Sequence, residues 1–120
     1  IIETKNFSKK DFSNQFLAVL TDNQTASSGE AVAVAFKTRK NSKSFGQPTF
    51  GVSTGCVSHE LSDGSVINLA ESIFADRTMK KYGSKIIPDF ETEKGYALEK
   101  GVEWIYEMNK KTTANNIYKK

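Results

Sequence analysis

The 120 residues contain one cysteine and one histidine, and both scarcities narrow the chemistry on offer. A lone Cys56 excludes an internal disulfide, and it says little about compartment. It reads as an inert thiol, since a reactive one would need a histidine or a helix terminus beside it. No group of His, Cys, Asp and Glu has metal-ligand spacing, and neither a phosphate-binding loop nor a dinucleotide fingerprint occurs, so neither a metal nor a cofactor is expected. No apolar run approaches the ~18 residues of a membrane span. No signal-peptide pattern opens the segment, so a secretory leader on a parent protein would lie upstream or have been removed. No basic stripe is interleaved with aromatics. The net charge of +3 is modest and much of the basic excess lies at the ends, as in Lys110-Lys111 and Lys119-Lys120, so nucleic-acid binding is not expected. Internal repeats and low-complexity tracts are also missing.

What remains is ordinary globular material. With 38% hydrophobic and 26% charged residues, the chain can bury one small core. Residues 1–14 are polar and read as a connecting segment, with a helical turn over Asn6–Phe12. Phe16–Leu20 (FLAVL) reads as a short buried strand, and Ala31–Phe36 (AVAVAF) as helix. Lys43–Phe45 reads as a strand. Cys56–Leu61 and Ser65–Phe74 form a β-hairpin about a turn at Ser62-Asp63-Gly64. Lys80–Tyr82 adds a short strand. Tyr96–Met108 carries Leu98, Val102, Ile105 and Tyr106 at helical spacing with Trp104 beside them, an amphipathic helix whose stripe reads as core packing. Residues 111–120 read as a polar tail.

Between the FLAVL strand and the alanine-rich helix lies Thr25-Ala26-Ser27-Ser28-Gly29-Glu30. Two readings of it stand side by side. Ser27 with Glu30 three residues on is a capping box, a common way to start a helix. The same place, a small-residue turn at a helix N-terminus, supplies unpaired amides and a dipole that favours negative charge. Acyl transfer needs both at one point: a hydroxyl, which Ser27 offers, and oxyanion donors, which the amides of Ser28 and Gly29 offer.

Further along come Gly46-Gln47-Pro48-Thr49-Phe50-Gly51, then Ser53-Thr54-Gly55, Leu61–Ser65, Ala75–Thr78 and Lys81–Asp89. In this order after TASSGE, they resemble the catalytic core of the tail-specific (carboxy-terminal processing) serine peptidases, a family that includes the tricorn-like peptidases. The resemblance covers about residues 15–90. It implies an α/β fold with the spiral β-β-α core of the Clp-protease and crotonase-like superfold, here partial. It places the nucleophile on Ser27 and an oxyanion donor on the Ser28 amide. In the branch with a serine–lysine dyad, the lysine directly follows the glycine that closes GxxTFG, and here that position is Val52. The resemblance is therefore closer to the tricorn-like branch, which takes a histidine base from well upstream. The glutamate that orients this base falls near Tyr82.

On this reading residues 15–110 are the C-terminal part of a serine peptidase catalytic domain. Its base, and its peptide-binding domain, would be supplied by the upstream part of the same parent protein. The function implied is endoproteolysis of a polypeptide substrate, with an extracellular or membrane-associated parent and a homo-oligomer among its possible states. The alternative is a catalytically silent peptide-binding or assembly module of the same fold, which Val52 and Tyr82 favour. A third reading is an esterase or amidase using the same serine. His59, between Ser58 and Glu60 inside the hairpin, reads as a sheet-surface residue and not a base. Asp63, Asp76 and Arg77 read as turn residues, with an Asp76–Arg77 salt bridge fixing a connection.

Overall fold

The computed structural model describes residues 11–117, with side chains to residue 114. The helical turn expected over Asn6–Phe12 falls mostly outside the described residues. Strand β1 (Leu17–Thr21) leads through the 22–27 turn into helix α1 (Ser28–Lys37), and β2 (Ser42–Gly46) returns parallel to β1. The registers Val19↔Ser44 and Leu20↔Phe45 fix which residues share a face. A hairpin follows, β3 (Thr54–Glu60) against β4 (Val66–Ile73), and then β5 (Phe90–Glu91) adds to the far side of β2. The chain ends in α2 (Ala97–Ile117). The three-stranded parallel sheet thus runs β1-β2-β5, with α1 packed on one face and α2 on the other.

Each face has its own apolar layer. On α1, Glu30, Ala33 and Val34 lie at helical spacing and are buried. Ala33 and Val34 meet Ile86, which is 1% exposed, with Val19, Phe74 and Tyr82 packed around them. Burying an isoleucine this fully stabilises by about 1.5–3 kcal/mol. On the opposite face Phe45 stacks on Phe90 with ring centroids 5.0 Å apart, and Trp104 of α2 closes over Phe45 and Phe16 at 5.8 Å. Gly101 lets α2 come this close: a Cβ there would lie 3.0 Å from that of Ala18.

The hairpin turns through Ser62-Asp63-Gly64 as expected, with Gly64 at φ 82° closing a three-residue loop. Four expectations need correction. Lys80–Tyr82 is not a strand, because only one isolated bridge, Ala75↔Lys81, forms there. The stripe read as core packing on α2 divides: Leu98, Val102 and Tyr106 are 63%, 44% and 67% exposed, while Ile105 and the neighbouring Trp104 are half-buried. The helix docks instead on Gly101, Trp104 and the face between them, because close approach to β1 favours the residue with no side chain. The segment from 111, read as polar tail, continues α2 as far as Ile117. Asp76 and Arg77 do not pair. Asp76 accepts from the Thr78 amide and hydroxyl, the Lys80 amide and the Tyr82 hydroxyl, while Arg77 reaches the Ala35 carbonyl at 3.0 Å.

Candidate functional site

Ser27 stands where the sequence placed it, after the β1 strand and at the N-cap of α1. Its backbone is unusual. At φ 50°, ψ −113° it occupies a region that glycine favours and other residues rarely enter. A serine on a sharp, strained strand-to-helix turn projects its hydroxyl away from the sheet, the geometry of a nucleophile elbow. Ser27 is exposed, so the hydroxyl can be approached. Strain of this kind, of order 1–3 kcal/mol, persists only where the surroundings impose it.

Those surroundings are three laced segments. The Thr25 amide and hydroxyl both bond to the Asp22 carboxylate, at 2.9 and 3.0 Å, and the Thr25 carbonyl accepts from Phe50 N–H at 2.9 Å. The Thr49 amide donates to the Ile86 carbonyl, and Thr49 Oγ1 accepts from the Ile86 amide at 2.8 Å. Ser53 Oγ donates to the Ser84 carbonyl at 2.7 Å. Gly51, at φ 108°, lets Lys85 pass: a Cβ there would lie 2.9 Å from Lys85 Cγ. These bonds tie the segments 22–30, 47–53 and 84–86 to one another.

The two amides expected at the oxyanion position fare differently. Gly29 N–H donates to the Ala26 carbonyl at 2.9 Å and is engaged in the turn. Ser28, first residue of the helix, has an amide with no intrahelical acceptor and no partner among the described residues. It is the free donor beside the Ser27 hydroxyl, with the helix dipole behind it.

Glu30 does more than sequence reading assigned to it. Its side chain is wholly buried, and its carboxylate accepts from the amides of Ser27, Gly51 and Val52, each at 2.9 Å, and from the Thr49 hydroxyl at 2.5 Å. Burial pushes its pKa up, but the Thr49 hydroxyl and the three amides outweigh this and hold it below the usual glutamate value. The capping-box spacing signalled the Ser27 contact, while the other three partners, 19–22 residues away, left no local trace.

Elsewhere, Asp89 is bonded to the Ser44 amide and hydroxyl, each at 2.8 Å, and to Lys37 Nζ at 3.3 Å. Burial raises its pKa, yet these partners bring it below the ordinary value. Asp76 is held near a pKa of about 2, first by the Thr78 hydroxyl, and Tyr82 is pushed up to about 12 by burial and by Asp76. Tyr82 is thus a neutral donor to Asp76 and has no carboxylate character with which to orient a base. Val52 is 40% exposed and offers no proton acceptor. His59 lies on the exposed hairpin, paired with Glu71. A cleft of about 450 Å³, lined in part by Thr21, Thr25, Gly46 and Gln47, opens beside the turn at the C-terminal ends of β1 and β2. Open α/β sheets take their ligands at that end of the strands.

The sequence pattern of peptidase family S41 matches residues 3–92, three quarters of the chain. The chain belongs to peptidase family S41. It is 34% identical over 103 residues to a nisin-resistance protein of Lactococcus lactis subsp. lactis, covering 85% of this chain and 32% of that relative. Among solved structures, it is similar to a lipoprotein from Streptococcus agalactiae, with a TM-score of 0.68 and 35% identity over 78% of this chain and 32% of that one. The chain therefore spans about a third of the length of both relatives. The mixed α/β architecture is that of a partial Clp- and crotonase-like S41 domain.

Proposed function

We propose that this chain is the nucleophile-bearing part of a serine-type endopeptidase, of the tail-specific family and nearer its tricorn-like branch. The observation that carries the reading is the Ser27 backbone, an exposed serine held at φ 50° beside the free Ser28 amide in a member of a peptidase family. A base from outside residues 1–120 takes the Ser27 proton as Oγ bonds to the scissile carbonyl carbon. The carbonyl electron pair moves onto oxygen, which the Ser28 amide stabilises. Collapse expels the amine, protonated by the same base, and water then hydrolyses the acyl-enzyme. A lysine dyad is not the route, since Val52 occupies the lysine's position.

The substrate on this reading is a polypeptide, bound as an added strand along a sheet edge. Likeness to a nisin-resistance protein makes nisin the first polypeptide to test. A relative described as a lipoprotein fits an extracellular or membrane-associated parent. The second reading, a silent binding or assembly module, is favoured by the loss of acid–base groups at Val52 and Tyr82 and by the hairpin placement of His59.

A fluorophosphonate probe separates the two, because an unassisted serine hydroxyl is a weak nucleophile at neutral pH. The full-length protein is expected to label and to cleave polypeptide, with Ser27→Ala abolishing both. Full-length wild type that neither labels nor cleaves would overturn the peptidase reading.

A further inference from the structure

A capping box asks one hydrogen bond of its glutamate, at the protein surface, for a modest gain in helix stability. Glu30 departs from that in two ways: it is wholly buried, and three of its four partners come from a distant loop. Burying a charge is costly unless every lone pair is met. Here each is. Oε2 accepts from the Ser27 and Val52 amides, and Oε1 from the Gly51 amide and the Thr49 hydroxyl. An ionised carboxylate is an acceptor only, with about four sites, so the number and polarity of partners match the anion. Were Thr49 Oγ1 to accept from Glu30 as well as from the Ile86 amide, 2.8 Å away, its own hydroxyl proton would be left without a partner among the described residues.

We infer that Glu30, as the carboxylate, is a positioning residue for Ser27: it ties the strained 25–28 turn to the 49–52 loop, and so sets where the Ser27 hydroxyl and the Ser28 amide point. The catalytic half of this inference rests on the peptidase reading, while the clamp itself does not. Glu30 touches neither substrate nor reacting atoms. It acts through the Ser27 amide on one side and through the floor formed by Gly51 and Val52 on the other. The direction of its pKa, held low against burial, agrees with an anion kept charged in place.

The variant that tests this is Glu30→Gln in the full-length protein. Glutamine keeps the shape but replaces one acceptor oxygen by an NH₂ group. That group must face either the Ser27 and Val52 amides, where donors meet donors at two contacts, or the Gly51 amide and Thr49, where they meet at one at least. Hydrogen exchange followed by mass spectrometry is expected to show segments 25–30 and 49–52 exchanging roughly ten-fold faster or more, the size that an unpaired buried donor implies, while β1 and β2 keep their protection. The fluorophosphonate labelling rate is expected to fall by a similar factor, with kcat on a peptide substrate falling more than KM changes. Glu30→Asp keeps the charge but withdraws it by one methylene, and should lie between wild type and Glu30→Gln in both readouts. It also carries the test should Glu30→Gln fail to fold.

Unchanged exchange in 49–52 would overturn the clamp. Faster exchange with wild-type labelling would overturn the positioning role. A wild-type protein that never labels would bring down the peptidase reading and the catalytic half with it, and exchange alone would then decide the clamp.

Discussion

Ser27 and Glu30 are three residues apart and opposite in character, one exposed and strained, the other buried and fully bonded. Strain at Ser27 gives a test that a simple cap would fail. Glycine adopts φ near 50° without penalty and serves as an N-cap at a loss of only a few tenths of a kcal/mol, whereas alanine keeps the strain and loses the cap. Ser27→Gly is therefore expected to melt at or above the wild-type temperature, and Ser27→Ala to be about 0.5–2 kcal/mol less stable than wild type. Neither should label with fluorophosphonate. Thermal melts of the two variants side by side check this, and a glycine variant clearly weaker than alanine would contradict the strained geometry. Acid sensitivity belongs to the same scale. Glu30, Asp76 and Asp89 all have folded-state pKa values below their ordinary ones, Asp76 at about 2. A depressed carboxylate contributes stability that is present above the unfolded pKa and lost as pH falls through the folded one. Urea midpoints should accordingly change little from these groups above about pH 5 and decline from about pH 4.5 toward 2, with a shallower decline in Asp76→Asn.

Helix α2 shows how an element's docking face can differ from its most apolar stripe. Leu98, Val102, Ile105 and Tyr106 drew the sequence reading, with Trp104 beside them, yet the sheet takes Gly101 and Trp104 and leaves Leu98, Val102 and Tyr106 exposed, because β1 presents only Ala18 and Leu20 and the helix must come close to reach Phe45. Gly101→Val would force branched methyls into a space where a Cβ already lies 3.0 Å from Ala18 and 3.3 Å from Leu20. Overpacking of this kind costs about 1–3 kcal/mol. The urea midpoint should fall accordingly, and near-ultraviolet circular dichroism of Trp104, the only tryptophan, should weaken as the helix lifts. Val102→Ser, on the solvated side, should shift the midpoint by less than about 0.5 kcal/mol equivalent.

Across the molecule, apolar burial concentrates at a few residues of α1 and β2 and at Ile86, while the β3–β4 hairpin is exposed along almost its whole length. The register puts Val57, Ile67 and Leu69 on one face of it, and each is more than 40% exposed. A two-stranded hairpin is marginal by itself in water. Hairpin amides of the isolated chain should thus exchange well before those of β1 and β2, a difference that NMR-detected exchange would read directly. Catalysis should divide at the same scale. The single histidine is paired with Glu71 on that hairpin, so the isolated 120 residues should turn over peptides at no more than a residual rate, and His59→Ala should leave that rate unchanged. Turnover by the isolated chain that His59→Ala abolishes would show the base to be internal.

Local chemistry was enough for the sequence to determine the strand–turn–helix about Ser27, a short strand near Phe45, and the hairpin at Ser62-Asp63-Gly64. Each is written in neighbouring residues: an apolar run, a capping box, a turn glycine. The order of TASSGE and GQPTFG likewise pointed to the family. Only the tertiary structure decided that Gly29 is engaged and the Ser28 amide free, that Asp76 bonds Tyr82 and not Arg77, and that α2 docks by a glycine. It also decided the role of Glu30. Three of that carboxylate's four partners come from a loop 19–22 residues away, and long-range polar satisfaction has no period or spacing in a sequence: it exists only once burial has removed water as the alternative partner.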